Sequence, residues 1–234
     1  MNTDLVVLRK TSLVDYPGCV AAVIFFSGCN LRCPWCHNGD LVLGLPAKDS
    51  GALGIGEALA HLEKRRTVLG GAVLSGGEPT LRHDVLPDLV RRIKALGLKV
   101  KLDTNGTRPE VLEQLLAKSE TTPDYIAMDL KLAPERYREL LPPDARGRNG
   151  PSIGGAVRRA ARLLREAAAR RDARGESAPF VEFRSLKLPA FTGRDRAALS
   201  ELAGHLPWTT RPFAPGNCLD PAWNGILDDD ERRR

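Results

Sequence analysis

Six short apolar runs punctuate the chain: Val20–Phe26, Ala72–Leu74, Val100–Leu102, Tyr125–Met128, Val181–Phe183 and, most weakly, Thr209–Phe213. Runs of this length suit buried strands. Between them, near 56–66, 82–96, 109–118, 134–141, 155–172 and 194–205, apolar residues recur at helical spacing. In 82–96, for example, Val85, Leu89, Ile93 and Leu96 share one face. The segment from 109 opens on Thr107-Arg108-Pro109-Glu110, which predicts a capping box with proline at the first helical position. Alternating strand and helix units predict a parallel sheet joined by right-handed crossovers, either an open doubly wound sheet or an incomplete (β/α) barrel. No Gly/Ser-rich linker divides residues 1–234, so one domain is expected. Its core should run from about 11 to 223, with 142–155 as a mobile surface loop and 224–234 as a frayed tail.

Composition narrows the class. With 42% apolar and 27% charged residues, the 234-residue chain is ordinary globular material. Its longest apolar run, Cys19 to Phe26, is too short to span a bilayer, and the first ten residues lack the ordered regions of a signal peptide. No membrane association is expected. The net charge of +6 is concentrated in residues 156–174, which hold seven arginines against one Glu and one Asp. Val157, Ala161, Leu164 and Ala168 repeat there at helical spacing, so the segment reads as an amphipathic helix with a solvated basic face. It carries no aromatics, which argues against nucleic acid.

The five cysteines change the picture more. Cys29, Cys33 and Cys36 lie within eight residues, and the odd total makes a poor disulfide framework. Clustered thiols in such a chain point to a reducing, cytoplasmic setting and to metal or redox chemistry. Cys19 heads an apolar strand as a small buried hydrophobe, and Cys218 reads as structural. Polar motifs follow the first four predicted strands: Cys29 through Asn38, then Ser75-Gly76-Gly77-Glu78-Pro79, Asp103-Thr104-Asn105-Gly106 and Asp129-Leu130-Lys131. In a parallel α/β architecture these ends share one rim, where active sites lie. Spacings of three and two residues let one loop of thiolates wrap an iron–sulfur cube and leave one iron without a cysteine. Structural zinc is the alternative; it needs four closed ligands, and His37 is awkwardly placed while Cys218 is distant. Gly76 and Gly77 lack Cβ, which would let backbone approach a ligand. Asp103 and Asp129 form a pair of acids, so either one pKa rises or a cation sits between them.

The C-x3-C-x2-C spacing, with Trp35 before the last cysteine and a Gly-Gly-Glu-Pro turn downstream, resembles the radical S-adenosylmethionine (SAM) superfamily. Thr11 through Gly18 and Cys36-His37-Asn38 narrow the resemblance to glycyl-radical-enzyme activating proteins, of the anaerobic ribonucleoside-triphosphate reductase activating type. The resemblance implies an incomplete (β/α)6 TIM-like barrel and a [4Fe–4S] cluster on Cys29, Cys33 and Cys36. It also implies reductive cleavage of SAM to a 5′-deoxyadenosyl radical, which takes a hydrogen from a partner's glycine.

Further roles are implied on the same basis. The Gly76-Gly77-Glu78 turn would take the SAM amino group, Trp35 would stack near adenine, and Asp103 and Asp129 would hold SAM together with a monovalent cation. Lys131 would pair with the SAM carboxylate or ribose. His37 would contact the nucleoside or brace the loop. Asp15 would be either the acid near the substrate glycine or a turn-former before Tyr16-Pro17-Gly18. The implied partners are a glycyl radical enzyme and a low-potential electron donor such as flavodoxin or ferredoxin. The chain has Pro212-Phe213-Ala214 where pyruvate formate-lyase activases carry an aromatic–His pair, which favours anaerobic ribonucleotide reductase. The alternatives are an activase of pyruvate formate-lyase and a small-molecule radical SAM enzyme of the 7-carboxy-7-deazaguanine synthase type, though His37-Asn38 stands where the latter enzymes tend to carry Asp-Thr.

Overall fold

A computed structural model describes residues 5–44, 51–146, 152–174, 178–189 and 191–226. The expected tail beyond Ile226 and the middle of the 142–155 loop lie outside them. Among the described residues eight strands form one sheet: β1 Leu5–Ser12, β2 Ala21–Phe26, β3 Ala52–Gly54, β4 Gly71–Gly76, β5 Lys99–Thr104, β6 Tyr125–Asp129, β7 Phe180–Lys187 and β8 Trp208–Pro212. They run in the order β3-β1-β2-β4-β5-β6-β7-β8. From β2 to β8 every neighbour is parallel, as the alternating pattern predicted. Among the described residues the sheet does not close, because β3 and β8 remain as its edges. It is an incomplete barrel of six parallel strands.

Three expectations need correction. The sheet is not wholly parallel, since β1 pairs antiparallel with both β2 and β3. β1 escaped the apolar pattern because Arg9, Lys10 and Thr11 interrupt it, and backbone pairing with β2 rather than burial holds that end. Residues 134–140 wind as a tight 3₁₀ segment rather than an α-helix. The capping box at 107–110 is also absent: Thr107 Oγ1 donates to Asn105 Oδ1 (2.6 Å), while Glu110 pairs with Arg108.

The helices α2 Ile55–Arg65, α3 Leu86–Ala95, α4 Pro109–Leu116, α5 Ile153–Arg174 and α6 Gly193–Ala203 fall near their predicted places, and a short α1, Gly39–Leu43, follows the cysteine loop. They cover one face of the sheet. In α3, Leu86, Leu89, Val90 and Ile93 are buried, each contributing roughly 1.5–3 kcal/mol relative to exposure before entropy is counted. Against them lie Ala22, Ile24, Phe26, Leu74, Leu102, Ile126 and Phe183 from the strands. Strand residues alternate, so their neighbours point to the inner face. Its lower half is filled by Tyr16, Ala21, Val23, Val73, Tyr125 and Ala127, which plug the barrel beneath the upper rim.

Candidate active site

The upper half of the inner face is an open cavity of about 380 Å³. Cys29, Cys33, Trp35, Cys36 and His37 line it from the loop after β2, and Gly76, Gly77 and Glu78 from the turn after β4. Asp103, Asp129, Lys131 and Arg184 complete its floor. Eleven of the twelve predicted site residues therefore meet in one place. The twelfth, Asp15, does not. It follows β1, whose Ser12 is level with Ala21 at the start of β2, so it stands a strand length, roughly 17–20 Å, from the cysteine end. Asp15 accepts hydrogen bonds from Ser12 Oγ (2.5 Å) and Arg9 (3.2 Å) and stabilises its own turn. This favours the turn-forming reading over a catalytic one.

The thiols sit in a prepared setting. Leu31 N–H donates to Cys29 Sγ at 3.4 Å, and Asn105 Nδ2 points at the same sulfur from 3.8 Å. Burial pushes the Cys29 thiol up to about 11 and the Cys33 thiol up to about 12. Without a cation both stay protonated at neutral pH, and a soft metal centre would displace those protons. Among the described residues, no three His, Cys, Asp or Glu side chains stand close enough to share one metal ion. A group bound by all three thiols must therefore span them. Their soft donor set and the N–H groups aimed at sulfur fit an iron–sulfur cluster.

The glycines of the turn also have a packing role. A Cβ on Gly77 would lie 2.0 Å from the Gly28 carbonyl oxygen, and one on Gly76, whose φ is +113°, 2.5 Å from Phe26 backbone. The two turns are stacked backbone to backbone, with Glu78 N–H donating to Gly28 O (2.9 Å) and Gly77 N–H to Phe26 O (2.8 Å). The missing side chains leave room for the cysteine loop itself. Glu78 is likewise taken up by protein: it is 1% exposed and accepts from Thr80 N–H (3.1 Å), Thr80 Oγ1 (2.6 Å), Thr104 Oγ1 (2.7 Å) and Asn105 N–H (2.7 Å). Burial pushes its carboxyl up, and these donors offset only part of that rise. It ties the β4 turn to the β5 turn.

The paired acids have their cation, and it is a side chain. Arg184, on β7, donates from Nε to Asp129 Oδ1 (2.9 Å), and its Nη2 lies 3.3 Å from Asp103 Oδ1. Lys131 Nζ donates to Asp129 Oδ2 (2.8 Å), Ser75 Oγ to Asp103 Oδ2 (3.0 Å), and buried Lys101 pairs with Asp103 Oδ1. Burial alone would raise the Asp129 pKa, but Arg184 and Lys131 outweigh it and hold the carboxyl well below the usual range. Sequence reading missed Arg184 and Lys101. The signal was there: Glu182 and Arg184 alternate with apolar residues along β7, and a lysine interrupts Val100–Leu102.

The segment after β8 braces the cysteine loop. Leu219 N–H donates to Cys36 O (2.8 Å) and Asp220 N–H to Pro34 O (2.9 Å). His37 Nε2 donates to Ala214 O (2.9 Å), so His37 braces this segment. Trp35 is buried against Trp223, with centroids 5.3 Å apart, and Trp223 meets Phe213 edge-on at 5.6 Å. Cys218 is buried in the same strap, and Cys19 packs under Gly70 and Gly71; neither lines the cavity. The basic face of α5 also lies elsewhere. Arg158 pairs with Glu135, Arg159 with Glu113 (2.5 Å) and Arg162 with Glu166 (3.8 Å), as a solvated face would.

A family model described as the radical SAM superfamily matches residues 23–169, which include all three clustered cysteines and every strand that floors the cavity except β7 and β8. The chain belongs to the radical SAM superfamily. Superfamily membership brings with it a [4Fe–4S] cluster and SAM. Among relatives, a Methanocaldococcus jannaschii protein provisionally named a glycyl-radical enzyme activating enzyme is 38% identical over 130 residues, 56% of this chain and 51% of that one. The pyruvate formate-lyase-activating enzyme of Listeria monocytogenes is 37% identical over 133 residues, 54% of this chain and 53% of its own. A 7-carboxy-7-deazaguanine synthase of Hyperthermus butylicus is 35% identical over 116 residues, 47% of this chain and 46% of its own. The chain spans about half the length of the curated relatives it matches. A solved structure of native anSMEcpe with bound AdoMet superposes with a TM-score of 0.53, covering 81% of this chain and 52% of that one. At 18% identity that likeness speaks to the radical SAM fold alone. Among the described residues no helix is long and apolar enough to cross a membrane.

Proposed function

We propose that this radical SAM protein is an activating enzyme that removes a hydrogen from a glycine of a partner glycyl radical enzyme. The observation that carries the reading is the convergence of Cys29, Cys33 and Cys36 with Asp103, Asp129 and Lys131 around one cavity. A [4Fe–4S] cluster on the three thiolates would supply the low-potential electron for SAM cleavage and one iron without a cysteine. The chain's own residues do the rest. Leu31 N–H and Asn105 Nδ2 donate to the Cys29 sulfur and would tune the potential of a cluster held there. Trp35 offers a flat wall, and Lys131 a cation for a carboxylate or hydroxyl. The strap from Ala214 to Trp223 holds the cysteine loop in place through Cys36 O, Pro34 O and Trp35.

A protein substrate is supported by the unpaired edges β3 and β8, between which an extended loop could enter. Within the class, anaerobic class III ribonucleotide reductase is the partner we favour. Ser12 through Gly18 matches that type, and Phe213 is buried against Trp223 where pyruvate formate-lyase activases place their aromatic–His pair. The 7-carboxy-7-deazaguanine synthase relative supports a small-molecule substrate as the second reading. Reconstituted protein, SAM and reductant should give a glycyl-radical EPR doublet with the reductase, lost when the reactive glycine of the reductase becomes alanine. A doublet only with pyruvate formate-lyase would move the subgroup. Robust SAM cleavage with neither partner giving a doublet would favour the small molecule.

A further inference from the structure

Asp103 and Asp129 end neighbouring parallel strands and face the same cavity. Two carboxylates so placed would ordinarily draw a hard cation with oxygen ligands. Here all four carboxylate oxygens already have donors on the protein. Asp103 Oδ1 meets Lys101 Nζ and Arg184 Nη2, and its Oδ2 accepts from Ser75. Asp129 Oδ1 accepts from Arg184 Nε, and its Oδ2 from Lys131. Three fixed positive charges therefore surround two negative ones. An inorganic cation entering between the acids would have to displace these donors and then sit against a surplus of positive charge.

Lys101 is the unusual member. It is 2% exposed, an extreme position for a lysine, and its ammonium also stands over the Tyr125 ring at 5.5 Å. The ring in turn is held by Tyr16 and Phe180. Lys101 is thus fixed from below, and Arg184 from the side.

We propose that Lys101 and Arg184 are the resident counter-cations of the two acids, so that ligand binding in this cavity needs no exchangeable monovalent cation. They act as positioning residues, holding Asp103 and Asp129 as a charged pair toward the ligand. The inference deepens the reading of the cavity as a SAM site and departs from the monovalent cation that the family resemblance implies.

The test compares SAM affinity of the reconstituted protein in potassium, sodium and tetramethylammonium chloride at matched ionic strength, together with the melting temperature in each salt. Wild type should change by less than about twofold in affinity across the three, and melt at the same temperature. Lys101→Met/Arg184→Met should bind SAM weakly in tetramethylammonium and recover about tenfold or more in potassium, with a potassium-dependent rise in melting temperature. Arg184→Gln alone should show the same trend and serves if the double variant does not fold, whereas Arg184→Lys should keep wild-type indifference. A wild type that binds SAM about tenfold tighter in potassium, or variants that ignore potassium, would overturn the proposal. Absence of SAM binding in every salt would sink the SAM reading of the cavity, while the melting series would still decide whether the acids take an inorganic cation.

Discussion

Replacing Gly77 with alanine adds a single carbon at the point where two turns touch. That carbon would fall 2.0 Å from the Gly28 oxygen, 2.6 Å from its carbonyl carbon and 3.3 Å from Cys29 N. Ordinary contact needs more than 3 Å, so the turns must part by over about 1 Å in a region packed to near-crystalline density. Overpacking of this kind costs about 1–3 kcal/mol, and loosening the Glu78 N–H to Gly28 O bond adds about 0.5–1.5. A total of roughly 2–4 kcal/mol corresponds to a melting temperature lowered by about 4–16 °C for a chain of this size. Gly28 leads directly into Cys29, so the displaced loop should also lose its hold on a cluster. The assay pairs circular-dichroism melting with iron and sulfide content after anaerobic reconstitution. Gly56→Ala, in α2, where an added Cβ meets nothing within 4 Å, is the control and should keep wild-type iron content and melt at or slightly above wild type. If Gly77→Ala kept wild-type iron content and melting temperature and lost only SAM affinity, the packing account would be refuted and the turn would belong to the ligand.

Two further outcomes follow from the same geometry. Alanine at Cys29, Cys33 or Cys36 should abolish iron–sulfur absorbance after reconstitution, while Cys19→Ala and Cys218→Ala should retain it; stoichiometric zinc in place of iron would count against the cluster. Asp129 has its folded pKa depressed, so its contribution is present above the unfolded value near 3.9 and lost as pH falls below it. Asp129→Asn should lower stability by about 1–3 kcal/mol at neutral pH, less than for a fully buried pair because the group is partly exposed, and should flatten the acid limb of the melting profile.

The parts of this molecule legible from sequence are those where a polar residue ends an apolar run. Cys29, Gly76, Asp103 and Asp129 each follow a strand that had to be buried, so their shared rim followed from the parallel architecture. Arg184 was hidden because the apolar run Val181–Phe183 stops one residue before it, while the strand continues to Lys187. Lys101 lay inside a run scored by its neighbours. β1 was lost to its own polar positions, since its register comes from pairing with β2. The roles of Gly76, Gly77 and Glu78 turned on what fills the space beside them, which spacing along the chain does not encode. Asp15 followed a strand that runs the opposite way, so its motif pointed to the wrong rim.

The strap that joins Ala214, Leu219, Asp220 and Trp223 to the cysteine loop bears on the order in which the protein can be finished. On the ribosome the loop emerges well before the segment that bonds to it, with β3 through β8 made between them. Until then three thiols are bare, open to oxidation and to whichever soft metal arrives first. Loading the centre is therefore tied to synthesis and folding of the Ala214–Trp223 segment rather than to the loop that supplies the ligands alone.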